Sequence, residues 1–192
     1  MVPVGGVPML TRVLAAVANA ALPGPVASAV SAAEDGKVPR PASGVEVVVV
    51  GPGRAGVPWW VRVVQEEPAR GGPVAAIAAG VASVRAETVV VLAADLPYLL
   101  PEAVELLVAE LGRGGADGVV FVDGGRRQLL CGAWRTGALR LALERLGTVN
   151  GRAMRELAGG LVVREIAWLG GGMAPYFDCD TEDDLRRAEG LE

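Results

Sequence analysis

An open α/β sheet wound with helices on both faces is the fold class this sequence predicts, and three observations predict it. Thr88 to Leu92 is a continuous apolar run rich in β-branched residues and Val45 to Val50 is a second, broken only by Glu46, the pattern of strands buried on both faces in a parallel sheet. Stretches of helical period separate the strands of the first half. The second half breaks that alternation. Gly118 to Val122 and Leu129 to Trp134 read as strands flanking the turn Asp123-Gly124-Gly125, which makes an antiparallel addition. The expected architecture is therefore a three-layer α/β/α single domain, residues 1–192, with a mostly parallel sheet and a mixed C-terminal half.

Met1 to Gly6 is short and irregular. Pro8 to Ala21 reads as a helix, with Met9, Val13, Ala16, Val17 and Ala20 on one face. Leu22 to Gly44 is rich in Ala, Ser, Pro and Gly, holds the sole lysine, Lys37, and has no period, so it reads as a mobile surface insertion. Gly51-Pro52-Gly53 ends the Val45 strand. Trp59 to Val64 is a short third strand, reaching the corner Gln65-Glu66-Glu67-Pro68. Pro73 opens a helix through Val84 whose small side chains suit close packing on a sheet. The Thr88 strand ends by Asp95, and Pro97 prevents its continuing. Pro101 to Leu111 is a helix with the apolar stripe Val104, Leu107, Val108 and Leu111, and Gly112 stops it. Gly137 to Leu146 and Gly151 to Ala158 read as helices, Leu161 to Ala167 as a strand, and Ala174 to Cys179 as a short extended piece. Thr181 caps a last helix, Glu182 to Glu189.

Composition excludes several function classes. Apolar residues make up 52% and charged residues 21%, so the chain is globular and not disordered. A net charge of −4 without a basic run argues against nucleic acid and anionic membrane as partners. The count of histidines is 0, which removes His-based acid–base catalysis, Ser-His-Asp triads and His-ligated metals. A metal would have to sit on carboxylates, which favours hard cations such as Mg²⁺. Cys131 and Cys179, far apart in apolar segments, read as free thiols of a reducing compartment. Val13 to Ala33 carries no charge, but it is mostly alanine and contains Asn19, Pro23 and Pro25, which resists a spanning helix. Arg12, then Val13 to Leu22, then Ala27-Ser28-Ala29 also fits a weak export signal, the alternative to a cytoplasmic protein.

Three features carry candidate chemistry. Asp95, a lone carboxylate at the carboxyl end of a buried strand, sits where open α/β sheets bind ligands; it also fits a plain turn or cap. Glu66-Glu67-Pro68-Ala69-Arg70-Gly71-Gly72-Pro73 leads into a helix N-terminus, whose N–H groups and dipole favour an anion or a polar base edge; a tight turn needing glycine fits as well. In Phe177-Asp178-Cys179-Asp180-Thr181, strand alternation puts Asp178 and Asp180 on one face, able to share a divalent cation with Asp95, or one of the last residues simply caps the helix.

The motifs Gly5-Gly6-Val7-Pro8-Met9-Leu10, Glu66-Glu67-Pro68 with Gly71-Gly72-Pro73, Leu92-Ala93-Ala94-Asp95-Leu96-Pro97, Gln128 to Trp134 and Phe177 to Leu185 occur in that order. Together they resemble the molybdenum cofactor guanylyltransferase family over nearly the whole chain. The resemblance implies a Rossmann-like nucleotidyltransferase fold and transfer of GMP from GTP to molybdopterin, with release of pyrophosphate. It implies Mg²⁺, or Mn²⁺ in its place, with Asp95 as the metal-binding aspartate and Asp178 and Asp180 where many relatives carry asparagines near metal and phosphates. Glu67, ahead of Glu66, stands for the acidic residue near the guanine, and Gly71, Gly72 and Pro73 for the loop lining that site. Asn150, Gly151 and Arg152 are candidates for contact with the pterin phosphate. GTP, molybdopterin and other cofactor-biosynthesis proteins would be the partners, in the cytoplasm.

Members of that family carry a strand, a glycine-rich phosphate loop with an arginine, and a lysine ahead of the segment matching Val4-Gly5-Gly6. The chain starts after these at Met1, so the resemblance implies that the first strand, central between the Val45 and Thr88 strands, and the phosphate loop are missing. Arg12 faces outward in this reading, Lys37 sits in the insertion, and Arg54 and Arg70 are the remaining candidates to stand in for the lost groups. A start placed too late, or a truncated paralogue, would explain the pattern, and weak GTP binding and impaired transfer are expected. The alternatives are a related nucleotidyltransferase, such as a molybdopterin cytidylyltransferase, and a non-catalytic paralogue acting as a scaffold.

Overall fold

Apolar runs and helix-start signals place most elements where expected. The structure, a computed structural model, describes residues 3–4, 6–23, 26–27, 38, 40–41, 45–53, 56–179, 181–188 and 190. In chain order the elements are β1 (Pro3–Val4), β2 (Val7–Pro8), α1 (Met9–Asn19), β3 (Val26–Ala27), β4 (Val48–Val50), β5 (Arg62–Val64), α2 (Pro73–Ser83), β6 (Thr88–Leu92), α3 (Pro101–Gly112), β7 (Gly118–Asp123), β8 (Arg126–Arg135), α4 (Thr136–Leu146), α5 (Met154–Ala158), β9 (Val163–Ile166) and α6 (Glu182–Ala188). Pro73 and Pro101 open α2 and α3, where a missing N–H costs nothing. Thr181 caps α6 as read from the sequence: its Oγ1 accepts the Asp184 N–H at 3.1 Å, and Asp184 accepts the Thr181 N–H in return.

The main sheet has five strands in the order β3-β6-β8-β7-β9. β3 runs parallel to β6 and β9 parallel to β7, while β8 is antiparallel to both its neighbours, which is the mixed half expected. Two cores cover its two faces. On one, Val13, Ala16 and Val17 of α1 and Val104, Leu107 and Leu111 of α3 pack with Phe121 and Cys131. On the other, Val74 and Ile77 of α2, Leu139 of α4 and Leu157 of α5 pack with Val120 and Trp134. Gly118 is what lets the Trp134 ring lie flat across β7: a Cβ there would stand 2.2 Å from its Cε3 atom.

β4 and β5 form a separate parallel pair, with Val48 opposite Arg62. Between β4 and β6 lies an apolar slot of about 300 Å³, floored and roofed by α1 and α2. Among the described residues no strand fills it beyond β3, whose two residues pair only with Thr88 and Val89. This is the place where the family resemblance put its absent strand. The slot corrects the expectation that β6 is buried on both faces. Val89 is buried, but Val90, Val91 and Leu92 are half-exposed, and so are Val48 to Val50, because their side chains border open space.

Other sequence readings need smaller corrections. Val45 to Val47 and Trp59 to Val61 lie outside the strands they were assigned to. The helix expected from Gly151 starts at Met154. Residues 174–177 form a turn closed by the Phe177 N–H on the Ala174 carbonyl, not an extended piece. Arg12 does not face outward; it folds back to donate to the Val4 carbonyl at 2.8 Å. Most of the expected insertion at 22–44, Lys37 and Arg54 lie outside the described residues. Among the described residues no helix is long and apolar enough to cross a membrane.

Candidate active site

The ladder between β6 and β8 runs one bond past the end of β6, with the Ala93 N–H donating to the Leu130 carbonyl at 2.8 Å. A turn follows at Ala94 and Asp95, and Leu96 and Leu99 then plunge into the core and fix it. The C-terminal segment closes over this turn. The Cys179 N–H donates to the Asp95 carbonyl at 3.3 Å, and Phe177 meets Tyr98 edge-on with ring centres 6.0 Å apart. Val4, Met9 and Leu185 complete the small apolar cluster beneath them. The result is a pocket of about 180 Å³ lined by Ala93, Asp95, Leu96, Gln128, Leu130, Cys131, Tyr176 and Asp178. Asp95 and Asp178, far apart in sequence, thus share one wall, as two of the three sequence features suggested.

The chemistry of this pocket is set by oxygen donors. Burial pushes the Cys131 thiol up to about 12, so it stays neutral at ordinary pH. Burial also raises the Tyr176 phenol, helped by the negative charge of Asp123, so the hydroxyl keeps its proton. The two carboxylates suit a hard divalent cation, since Mg²⁺ is bound through one or two carboxylates plus substrate phosphates. Asp180 lies outside the described residues. Among the described residues no group of three His, Cys, Asp or Glu forms a metal cage, so a cation here would need its remaining ligands from a substrate or water.

The glycine-rich corner stands across the mouth of the slot. Pro73 and Ala94 both line the slot, which places the corner and the Asp95 turn on either side of one opening. Glu66 braces the corner: its Oε1 accepts the Arg70 N–H at 2.8 Å, while Glu67 stays exposed. Gly72 sits at φ 85° and ψ −177°, a region that essentially only glycine enters, and this aims the chain into α2. Gly71 is pinned by a second loop. Its carbonyl accepts the Gly151 N–H at 2.8 Å. Asn150 Oδ1 lies 3.1 Å from where a Cβ on Gly71 would stand. Asn150, Gly151 and Arg152 therefore sit against the glycine corner. Arg152 is engaged with Glu156 at 2.8 Å, and the Ala153 N–H and that guanidinium hold the Glu156 carboxyl below the usual range.

Gln128 and Tyr176 were not singled out from sequence. Gln128 enters the pocket because β8 pairs antiparallel with β6 in a register that the sequence does not reveal; Tyr176 enters through the unforeseen turn at 174–177.

A mixed α/β sheet with a carboxylate at the end of a central strand and a glycine-rich corner opening a helix is an arrangement this chain shares with solved nucleotidyltransferases. Molybdopterin-guanine dinucleotide biosynthesis protein A from Archaeoglobus fulgidus is 23% identical, covers 68% of each chain and superposes with a TM-score of 0.54. The 2-C-methyl-D-erythritol 4-phosphate cytidylyltransferase of Thermus thermophilus is 20% identical, with a TM-score of 0.55 over 76% of this chain and 81% of that one. A Methanothermobacter nucleotidyl transferase is 18% identical and reaches a TM-score of 0.65 over 99% of this chain and 82% of that one. Residues 1–162 match the MobA-like NTP transferase domain, and the chain belongs to that family. No curated protein matches it in sequence.

Proposed function

We propose that this nucleotidyltransferase is a molybdenum cofactor guanylyltransferase, moving GMP from GTP onto molybdopterin and releasing pyrophosphate. The observation that carries the reading is the meeting of Asp95 and Asp178 in one pocket past the end of β6, within a chain of the MobA-like family. Asp95 and Asp178, with Asp180 next along the chain, would hold Mg²⁺ or Mn²⁺. That cation supplies charge neutralisation at the transferring phosphate. Gly71, Gly72 and Pro73 present backbone and a helix N-terminus to the nucleotide. Glu67, exposed at the corner, suits the adjacent N–H donors of the guanine edge, which a carboxylate accepts together. An acceptor phosphate oxygen attacks the α-phosphorus and pyrophosphate leaves, so positioning and electrostatics suffice and no histidine is required.

The open slot between β4 and β6 supports the further reading that turnover is low. The work would be done in the cytoplasm, with cofactor-biosynthesis proteins delivering the pterin. The test incubates the purified chain with Mg²⁺, molybdopterin and α-labelled GTP or CTP, and separates the products. Label from GTP in a dinucleotide, dependent on molybdopterin, is expected. Label from CTP in preference, or none with either nucleotide, would overturn the proposal.

A further inference from the structure

The acceptor side of the pocket poses an electrostatic problem. Asp95 and Asp178 both line it, and among the described residues no arginine or lysine does. A phosphate brought there as nucleophile meets that negative charge, which a cation held on the two carboxylates and shared with the nucleotide phosphates offsets only in part, so hydrogen-bond donors facing the acceptor are needed. Among the lining residues the neutral polar groups of useful strength are the Gln128 amide and the Tyr176 phenol. Both are placed to serve. The β6–β8 ladder ends at the Ala93–Leu130 bond, and Gln128 and Asp95, just beyond it on the two strands, line the same pocket. Its Nε2 makes only a long 3.4 Å contact with the Arg126 carbonyl, which it can give up at little cost. The Tyr176 ring is wedged on Phe121 with centres 5.5 Å apart, and fully buried Phe121 is itself held edge-on by Trp168 at 5.9 Å. A ring fixed in this way carries little rotamer entropy into a hydrogen bond. At about 180 Å³ the pocket is smaller than the roughly 300–1,000 Å³ that encloses a whole small ligand, so it takes the reacting end of an acceptor and leaves the rest outside.

We propose that Gln128 and Tyr176 are the acceptor-binding residues, hydrogen-bonding the phosphate of a phosphomonoester acceptor and holding it against Asp95. This rests on the transferase reading above but not on the identity of the acceptor.

The test measures binding of two probes, a pterin phosphomonoester and a polyol phosphomonoester, by calorimetry with Mg²⁺ and a non-hydrolysable GTP analogue present. Wild type is expected to bind one of them. Gln128→Ala and Tyr176→Phe should each raise its Kd by about 10- to 100-fold, the loss of one hydrogen bond to a charged group. Gln128→Glu, nearly isosteric, should weaken it further by adding a like charge. The Kd for a fluorescent GTP analogue should stay within about twofold in all three, as expected for groups that touch only the acceptor. Unchanged phosphomonoester binding in the variants, nucleotide affinity falling in step, or no binding of either probe by wild type would each overturn the proposal. If wild type binds the polyol probe and not the pterin, the guanylyltransferase reading fails, while Gln128 and Tyr176 are judged on the polyol.

Discussion

Gly71→Ala tests whether the glycine corner is locked by its surroundings. The new Cβ would stand 2.7 Å from the Ala75 Cβ, 3.0 Å from the Pro68 carbonyl oxygen and 3.1 Å from Asn150 Oδ1. Ala75 is 3% exposed in the first turn of α2, and the Pro68 oxygen is backbone, so neither can swing aside. Relief requires the corner to move, by roughly 1 Å, at the cost of about 1–3 kcal/mol typical of overpacking. If the shift breaks the 2.8 Å bond from the Gly151 N–H, about 0.5–1.5 kcal/mol more is lost. The expected total is about 2–3 kcal/mol in urea unfolding with an unchanged m-value. Fluorescent GTP titration of the same variant should show binding weakened by about tenfold or more, because a displaced positioning loop misplaces the ligand. A loss below about 0.5 kcal/mol with unaltered nucleotide affinity would refute the packing argument.

Asp95→Asn should cut transfer by about 10²-fold or more while leaving the melting temperature within a few degrees; equal rates would remove Asp95 from the metal site. The Cys131 thiol favours the fold while neutral, with a value raised from 9.0 to about 12. Its contribution is complete below about pH 9 and lost as pH rises towards 12, by about 1.4 kcal/mol per unit. Wild type should therefore lose more stability between pH 9 and 10.5 than Cys131→Ala, and parallel slopes would contradict the burial. In β6 the Ala93 N–H points at β8, so by alternation that of Leu92 points into the slot. Hydrogen exchange by NMR should find Leu92 at least about 100-fold faster than Val91; equal protection would mean that the slot is closed in solution.

The sequence reading succeeded where local chemistry is decisive and failed where distant partners are. Pro73 and Pro101 start helices by fixing their own backbone, and Thr181 with Asp184 caps α6 by a contact three residues long. These need nothing from the rest of the chain. The burial of Val90 to Leu92 depends on what lies beside them, and a continuous β-branched run cannot report an open flank. The two-residue strand β3 pairs with β6 from inside a stretch without periodicity, so no local signal announced it. In the site, Asp95 was legible because a charge ends an apolar run. Gln128 depends on strand register, and Tyr176 on a turn that the alternation of Ala174 to Cys179 disguised. Arg12 was misread because its helical position says nothing of β1 passing within its reach.

The slot between β4 and β6 has a mechanical consequence. Hydrogen-bond ladders make a sheet stiff, and here the ladder is interrupted. The glycine corner joins β5 of the small pair to α2, while the Asp95 turn leaves β6 of the main sheet. Among the described residues the pair is held to the main sheet largely by helix packing, Leu14 of α1 against Val47 and Val49 on one side and Val84, after α2, against Val48 on the other, with the Arg85 N–H donating to Glu46 Oε1 at 3.2 Å. Such contacts slide more readily than they stretch. In the proposed site the distance between nucleotide and metal would therefore be governed by shear across the slot, and any segment that bridges β4 and β6 would set its alignment without touching either substrate.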